Sequence, residues 1–309
     1  MDRFDQMSVL VAVVDGGSFS AAGRALGMPL ATVSRKVADL EANLGTRLLS
    51  RTTRQLALTE AGRTYVAACR QILERVEEAE RVAAGEYAVP RGELVISAPI
   101  VFGRLHVLPV VSAFLAAYPE IRIRLALSDR VVDLVDDHVD IALRIGALGD
   151  SRLVARTVGI IRPVLCASPA YLGRSGRPAD PDDLAGHAVV AFEGALSSTA
   201  WSFGEPPNQR RVTVAPRLVV NTAEAAIDAA IAGVGITRVL SYQVEAALRS
   251  GALECVLEAF APAAWPVSLV HAGQGLAPRK LGAFMDFAAP RLKARLVEAA
   301  RAGKPIDQT

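Results

Sequence analysis

Two short amphipathic segments separated by a single glycine turn near the start of the chain constrain its fold more than any other feature. Before them, Phe4, Met7, Leu10, Val11 and Val14 recur at helical spacing, and Gly16-Gly17 ends that first run. Ser18 suits an N-cap, because its hydroxyl can accept from a free amide of the following turn. Phe19, Ala22 and Leu26 then share one face of a short second helix that stops at Gly27. Pro29 opens a third helix, since its fixed φ and missing N–H fit a first turn. Val33, Val37, Leu40 and Leu44 form the buried stripe of that helix and leave Thr32, Ser34, Arg35, Lys36 and Asp39 on the other face. The pattern predicts a helix-turn-helix whose second member presents its N-terminal half to a major groove.

Charge follows the same boundary. Arg24 to Arg63 holds seven bases against three acids, a net +4, whereas Gln71 to Pro90 holds two bases against five acids, a net −3. Ordinary surface charge could produce this on its own, so the pattern inside the basic stretch has to decide. After Gly45 come two short apolar runs, around Leu48-Leu49 and Leu56-Ala57-Leu58, flanking a polar turn that carries Arg51 and Arg54. This reads as a β-wing with its arginines close to phosphates; a hairpin with a solvated tip is the alternative. The bases of the third helix, added to those of the wing, favour DNA. The expected contacts are Leu30, Thr32, Ser34, Arg35, Lys36, Arg51 and Arg54.

These residues carry a resemblance. The run Phe19-Ser20-Ala21-Ala22 with Leu26, then Val33-Ser34-Arg35 with Val37, Leu40-Glu41, Leu44-Gly45 and Leu48, then Arg51, Leu58-Thr59 and Gly62 resembles the LysR-type transcriptional regulators over about sixty residues at fixed spacing. Many members have Ser-Gln-Pro where this chain has Pro29-Leu30-Ala31, so the usual glutamine base contact is missing, and Leu30 is placed to touch a thymine methyl instead. The resemblance implies DNA binding; it does not carry over an operator sequence.

Thr59 is placed to cap a long helix reaching about Glu86. On it Ala61, Tyr65, Ala68, Ile72, Val76, Ala79 and Ala83 follow coiled-coil-like spacing. Packing against its own domain is the alternative, but the rest of the helix is so polar that pairing with a second copy is expected, with Tyr65, Ala68, Ile72 and Val76 at the centre. Two-fold symmetry would then set two recognition helices on a pseudo-palindrome. Tetramers are implied by the resemblance alone. The domain reading is 1–58 for the winged helix-turn-helix, 59–90 for the linker and dimerisation helix with its hinge, and 91–309 for an effector-binding domain.

Beyond Gly92 strands and helices alternate. Leu94-Val95-Ile96, a helix from about Phe102 to Ala117, Ile121–Leu127, a helix from about Val131 to Asp137, and Asp140–Arg144 read as βαβαβ, hence a parallel sheet with covering helices. A second unit begins near Pro163 and includes Leu218-Val219-Val220, a helix from Thr222 to Ala232, and Gly233–Ile236. Trp265–Val270 reads as a strand returning to the first lobe, followed by a helix from about Pro278 to Ala302. Two Rossmann-like α/β lobes joined by crossing strands resemble the effector domain of the same family and also periplasmic binding proteins.

Ligands of such sheets bind beyond the C-terminal strand ends. Those ends carry Ser97, Pro99, Val101, Phe102, Arg144, Asn221 and Thr222 as effector candidates. Helix N-termini near Phe102 and Thr222 would offer N–H groups to an anion, with Arg144 as a charged partner. The bland readings are a salt bridge for Arg144, a plain helix cap for Asn221, and core packing for Val101 and Phe102.

Other chemistry is not signalled. There is no G-x-S-x-G, H-E-x-x-H or P-loop, and Gly233-Val234-Gly235 follows a helix, so it is not a dinucleotide fingerprint. His106, His138, His187 and His271 are isolated, so no metal, cofactor or catalytic residue is expected. Cys69, Cys166 and Cys255 lie too far apart in sequence for a C-x-x-C motif, which fits a reducing cytoplasm; a redox link between Cys166 and Cys255 finds no support in their spacing. The acids in Met1–Asp5 speak against a secretory signal, and no run of about 18 apolar residues predicts a membrane span. The expected function is a cytoplasmic DNA-binding regulator that responds to a small, anionic effector. The alternative is a small-molecule binding protein or metabolic enzyme with an accessory nucleic-acid-binding domain.

Overall fold

The computed structural model describes residues 2–52, 55–83, 89–149, 153–192, 199–205, 207, 209–273 and 278–302. The chain divides into two compact units, Met1–Val89 and Pro90–Thr309.

In the first unit, α1 (Arg3–Asp15), α2 (Phe19–Leu26) and α3 (Leu30–Leu44) precede a hairpin of β1 (Leu49–Thr52) and β2 (Gln55–Leu58), and α4 (Glu60–Ala83) follows. The caps work as the residue types dictate. Ser18 Oγ accepts from the Ala21 amide at 3.1 Å, and Gly27 closes α2 with φ +64°, a conformation cheap only for glycine. Leu10, Val13, Ala22, Val33, Val37 and Leu40 share one core with Leu48, Leu49 and Val66. Phe4 stays 49% exposed, so the buried face of α1 is Met7, Val9, Leu10 and Val13. The hairpin is antiparallel, Leu49 opposite Leu58. Thr59 Oγ1 accepts from the Gly62 amide at 2.9 Å, capping α4, while its own hydroxyl reaches the Arg47 carbonyl at 2.8 Å. Any Cβ at Gly62 would collide with the Leu48 carbonyl, so only glycine lets α4 start this close to the wing.

The second unit has two five-stranded sheets. The first lobe begins with β3 (Gly92–Ala98). A helix follows, made of α5 (Ile100–Phe102), a π-helical turn (Gly103–Val107) and α6 (Leu108–Ala117), and then β4 (Ile121–Leu127), β5 (Ile141–Ile145) and β6 (Leu153–Ile161). The chain then crosses to the second lobe through β7 (Pro163–Ala167) and α7 (Pro169–Ser175). It continues with β8 (Val189–Phe192), the hairpin β9 (Ala200–Phe203) and β10 (Arg210–Thr213), β11 (Pro216–Val220), α8 (Ala223–Ile231), β12 (Ile236–Leu240), α9 (Ser241–Arg249) and β13 (Glu254–Val256). It returns through β14 (Trp265–Ala272) and ends in α10 (Arg279–Ala302). The sheet orders are β4-β3-β5-β14-β6 and β11-β8-β12-β7-β13. A continuous core joins the lobes: Phe114, Ile141, Leu269 and Phe284 of the first lobe with Phe192, Ala226 and Tyr242 of the second. Among the described residues, the helix Ile100–Ala117 is long and apolar enough to cross a membrane by length and composition; here Val110, Val111 and Phe114 lie in the core.

Two expectations need correction. The three strands of the βαβαβ run are parallel as expected, β3 with β4 and β5, but the sheets as wholes are mixed: the returning β14 is antiparallel to β5 and β6, and β7 is likewise antiparallel to β12 and β13. Val131 to Asp137 is not a helix either. Asp133 Oδ1 accepts from the amides of Val135 and Asp136, and His138, at φ +53°, closes the segment after one turn.

Candidate effector cleft and nucleic-acid interface

The exposed side of α3 carries Leu30, 52% exposed, and Arg35; Thr32 and Ser34 are half-buried beside them. Val33, Val37 and Leu40 on the opposite side anchor the helix, so the groove-facing residues project from a rigid support. Lys36 is ion-paired with Asp5 of α1 and is held against its own domain. Glu41 ties α3 to the wing by accepting from the amides of Leu48 and Leu49, a link that the spacing Glu41-x-x-Leu44-Gly45-x-x-Leu48 contains but does not announce. The side chain of Arg51, and Arg54 altogether, lie outside the described residues.

On α4 two faces separate. Val66 packs into the unit's own core and Cys69 is buried, so this face of the helix follows the alternative of packing against its own domain. Tyr65, Ala68 and Val76 are half-buried and Ile72 is 39% exposed, so the apolar stripe is open where it leaves the domain.

In the second unit a cleft opens between the lobes. Its walls are Ser97, Ala98 and Pro99 at the end of β3, Ser128 to Val132 after β4, Ala142 to Ile145 of β5, and Phe192, Leu240, Tyr242 and Gln243 from the second lobe. Of the sequence candidates, Ser97, Pro99 and Arg144 meet here. Val101 and Phe102 are packed into the core at 3% and 0% exposure. Thr222 Oγ1 accepts from the Ala225 amide at 3.2 Å as the cap of α8, and Asn221 is exposed; neither lines the cleft.

The polar groups of the cleft are unequally satisfied. Arg144 donates from Nη2 to the Val132 carbonyl, while its Nε is buried without a partner. Asp129 Oδ1 accepts from the Ile100 amide at 3.1 Å, which occupies the N-terminus expected to greet an anion; Oδ2 is buried and unpartnered. Burial raises the Asp129 carboxyl above its usual range, with the Ile100 hydrogen bond opposing and the nearby Glu224 charge adding to the rise. The Tyr242 hydroxyl is buried; burial, with the Asp129 charge behind it, raises its pKa, and the neighbouring Gln243 side chain opposes the rise. Tyr242 also closes an aromatic group across the lobes: its ring centroid is 5.3 Å from Phe102 and 5.8 Å from His106. Asp129 and Arg130 stand directly after a recognisable strand and were open to discovery from sequence; Tyr242 and Gln243, from the far lobe, carried no local signal. Among the described residues no group of three or more His, Cys, Asp or Glu side chains is placed to hold a metal.

Residues 4–63 match the bacterial regulatory helix-turn-helix protein family of the lysR type, and residues 88–293 match the LysR substrate binding domain. The chain belongs to the LysR-type transcriptional regulator family. An HTH-type transcriptional regulator of Xanthomonas campestris is 38% identical over 92% of this chain and 84% of its own length. An HTH-type transcriptional repressor of Pseudomonas aeruginosa is 37% identical over 88% and 87%. Among solved structures, full-length CrgA of Neisseria meningitidis, a LysR-type regulator, is 32% identical, with TM-score 0.58 over 93% of this chain and 98% of that one. A full-length AphB variant gives TM-score 0.63 at 27% identity, over 93% and 99%. As a LysR-type regulator, the chain is a sequence-specific DNA-binding protein with an effector-binding domain, and the lobes and cleft described above are that domain.

Proposed function

We propose that this regulator reads operator DNA with Leu30, Thr32, Ser34 and Arg35 on α3, adds phosphate contacts from Arg51 and Arg54 while Lys36 braces α3 against α1, and pairs two copies through Tyr65, Ala68, Ile72 and Val76. Its effector is a small anion held between the lobes, and it catalyses no reaction. DNA binding puts its work in the cytoplasm, and two such dimers joining as a tetramer follow the family's pattern. The observation that carries the effector reading is the convergence of Ser97, Arg130 and Arg144 on one inter-lobe cleft, where the Asp129 carboxylate already holds the Ile100 amide. A ligand shifts the lobes only by its differential affinity for open and closed states. The test is a thermal-shift screen of small carboxylates on the full chain, followed by footprinting with any hit. A carboxylate that raises the melting temperature and alters the footprint supports the reading; stabilisation by cations alone, or a footprint that ignores every stabilising ligand, refutes it.

A further inference from the structure

Regulation by DNA and effector uses none of the three cysteines. Cys166, on β7, is fully buried; Cys255, on β13, is half-buried. Although 89 residues apart in sequence, they stand directly opposite one another where β13 pairs antiparallel with β7. β13 is the edge strand of its sheet. The Cys255 carbonyl accepts from Arg177 Nη1 at 3.0 Å, so it points to the open edge and away from β7. A residue whose backbone turns outward in this way occupies a non-hydrogen-bonded pair, where opposed Cα atoms come to about 4.5 Å and side chains lie closest. That separation falls inside the range of about 4.4–6.8 Å that a disulfide spans without moving the backbone. Opposed residues also share one face of the sheet, so both thiols lie on the side where Cys166 packs with Val239, Val244 and Leu253.

We propose that Cys166 and Cys255 are a redox modification site: a hydroperoxide converts them to a cross-strand disulfide that pins the edge strand β13 to β7. The more exposed Cys255 sulfur attacks a peroxide oxygen. The O–O bond breaks, the leaving oxygen takes the thiol proton as an alcohol or water, and Cys255 becomes a sulfenic acid. Cys166 sulfur then attacks Cys255 sulfur, the S–O bond breaks, and hydroxide leaves with the Cys166 proton as water. Two thiols are oxidised by two electrons and the hydroperoxide is reduced by two. Burial pushes Cys166 up to about 12 and Cys255 up to about 11, so thiolate is scarce at neutral pH and the first step speeds up as pH rises. The bridge stiffens the layer beneath α8 and α9, whose Ile227, Ala230 and Val244 surround Cys166.

The experiment treats the reduced full chain with hydrogen peroxide at neutral pH and at about pH 8.5, then denatures, alkylates and maps the peptides. The expected result is a cross-linked pair containing Cys166 and Cys255, formed faster at the higher pH. Cys69 should remain alkylatable and dithiothreitol should reverse the link. The oxidised protein should melt at a higher temperature than the reduced one, because the bridge restricts the unfolded chain. Cys255→Ser should lose the cross-link while melting like reduced wild type; should that variant fail to fold, the wild-type peptide map decides. Three alkylatable thiols after treatment, a cross-link through Cys69, or a sulfinate at Cys255 beside a free Cys166 would each overturn the proposal.

Discussion

Glu41 Oε1 on the recognition helix accepts the backbone amide of Leu48 at 2.7 Å, and the same oxygen takes the Leu49 amide at 3.0 Å. One carboxylate thus fixes the wing to the helix. Glu41→Ala strands two amides at the edge of the core and should cost about 1–3 kcal/mol for each one left unsatisfied. Glu41→Gln keeps an acceptor and should cost much less. Chemical denaturation of the two variants checks this; equal stability would show the link to be incidental.

Counterion release follows from phosphate contacts. Log affinity for operator DNA should therefore fall steeply and linearly with log salt. Arg35→Ala should weaken binding and relax base preference, since a guanidinium in the groove is worth about 1–3 kcal/mol of discrimination. Arg51→Ala should weaken all sequences about equally. Binding-site selection with each variant separates the roles, and unchanged preferences for Arg35→Ala would remove it from readout.

Ile72, 39% exposed on α4, lies where the helix has left its own core. Ile72→Asp places two carboxylates face to face in an apolar seam and should dissociate the dimer without unfolding either unit. Operator affinity should fall with it. Light scattering at matched concentration is the measurement, and an unchanged mass would show that the copies join elsewhere.

Ser97 is 4% exposed at the cleft and Arg144 reaches it from β5. Arg144→Ala removes a charged donor worth about 1.5–3 kcal/mol, so effector affinity should drop roughly tenfold to a hundredfold. Ser97→Ala should lose the response as well. Basal DNA binding should survive both, because the first unit has its own core. Calorimetry with the screened effector reports the affinity, and full retention in the pair of variants would put the site outside the cleft.

His106 should make stability depend on acid. Burial, helped by the Arg295 charge, lowers its pKa from 6.5 to about 4. Between those values the unfolded chain binds the proton and the folded chain does not, so stability rises with pH through this window. The contribution is fully present above 6.5 and is lost as pH falls toward 4, with a span on the order of 3 kcal/mol. Denaturation at several pH values should show the slope in wild type and a flatter one in His106→Leu.

The first unit was largely legible because its signals are local. Ser18, Gly27, Pro29 and Thr59 act on backbone groups a few residues away, and the Val33–Leu44 stripe needs only helical periodicity. The second unit was legible in its strands but not in their directions, since a run such as Trp265–Val270 has the same period whichever way it enters a sheet. The single turn at Asp133 was misread because its apolar residues imitate a helix while the aspartate competes for the amides. In the cleft, Ser97, Pro99 and Arg144 could be placed because they end first-lobe strands. Tyr242 could not, because what puts it there is the packing of α9 from the other lobe. Phe102 belonged to the right end of the sheet, yet its side chain turned inward, a choice made by tertiary packing.

β14 lies between β5 and β6 in the first sheet, although the whole second lobe separates it from them along the chain. On the ribosome, β4, β3 and β5 can pair as they emerge, but the place between β5 and the edge strand β6 stays empty, so those two have no common edge to pair across. The second lobe is complete once β13 has left the exit tunnel, so it can close its sheet earlier. The lobe whose synthesis begins first is therefore the last to be finished. A ribosome stalled just before Trp265 would hold a nascent chain with one mature lobe and one open, strand-hungry half that chaperones must shield.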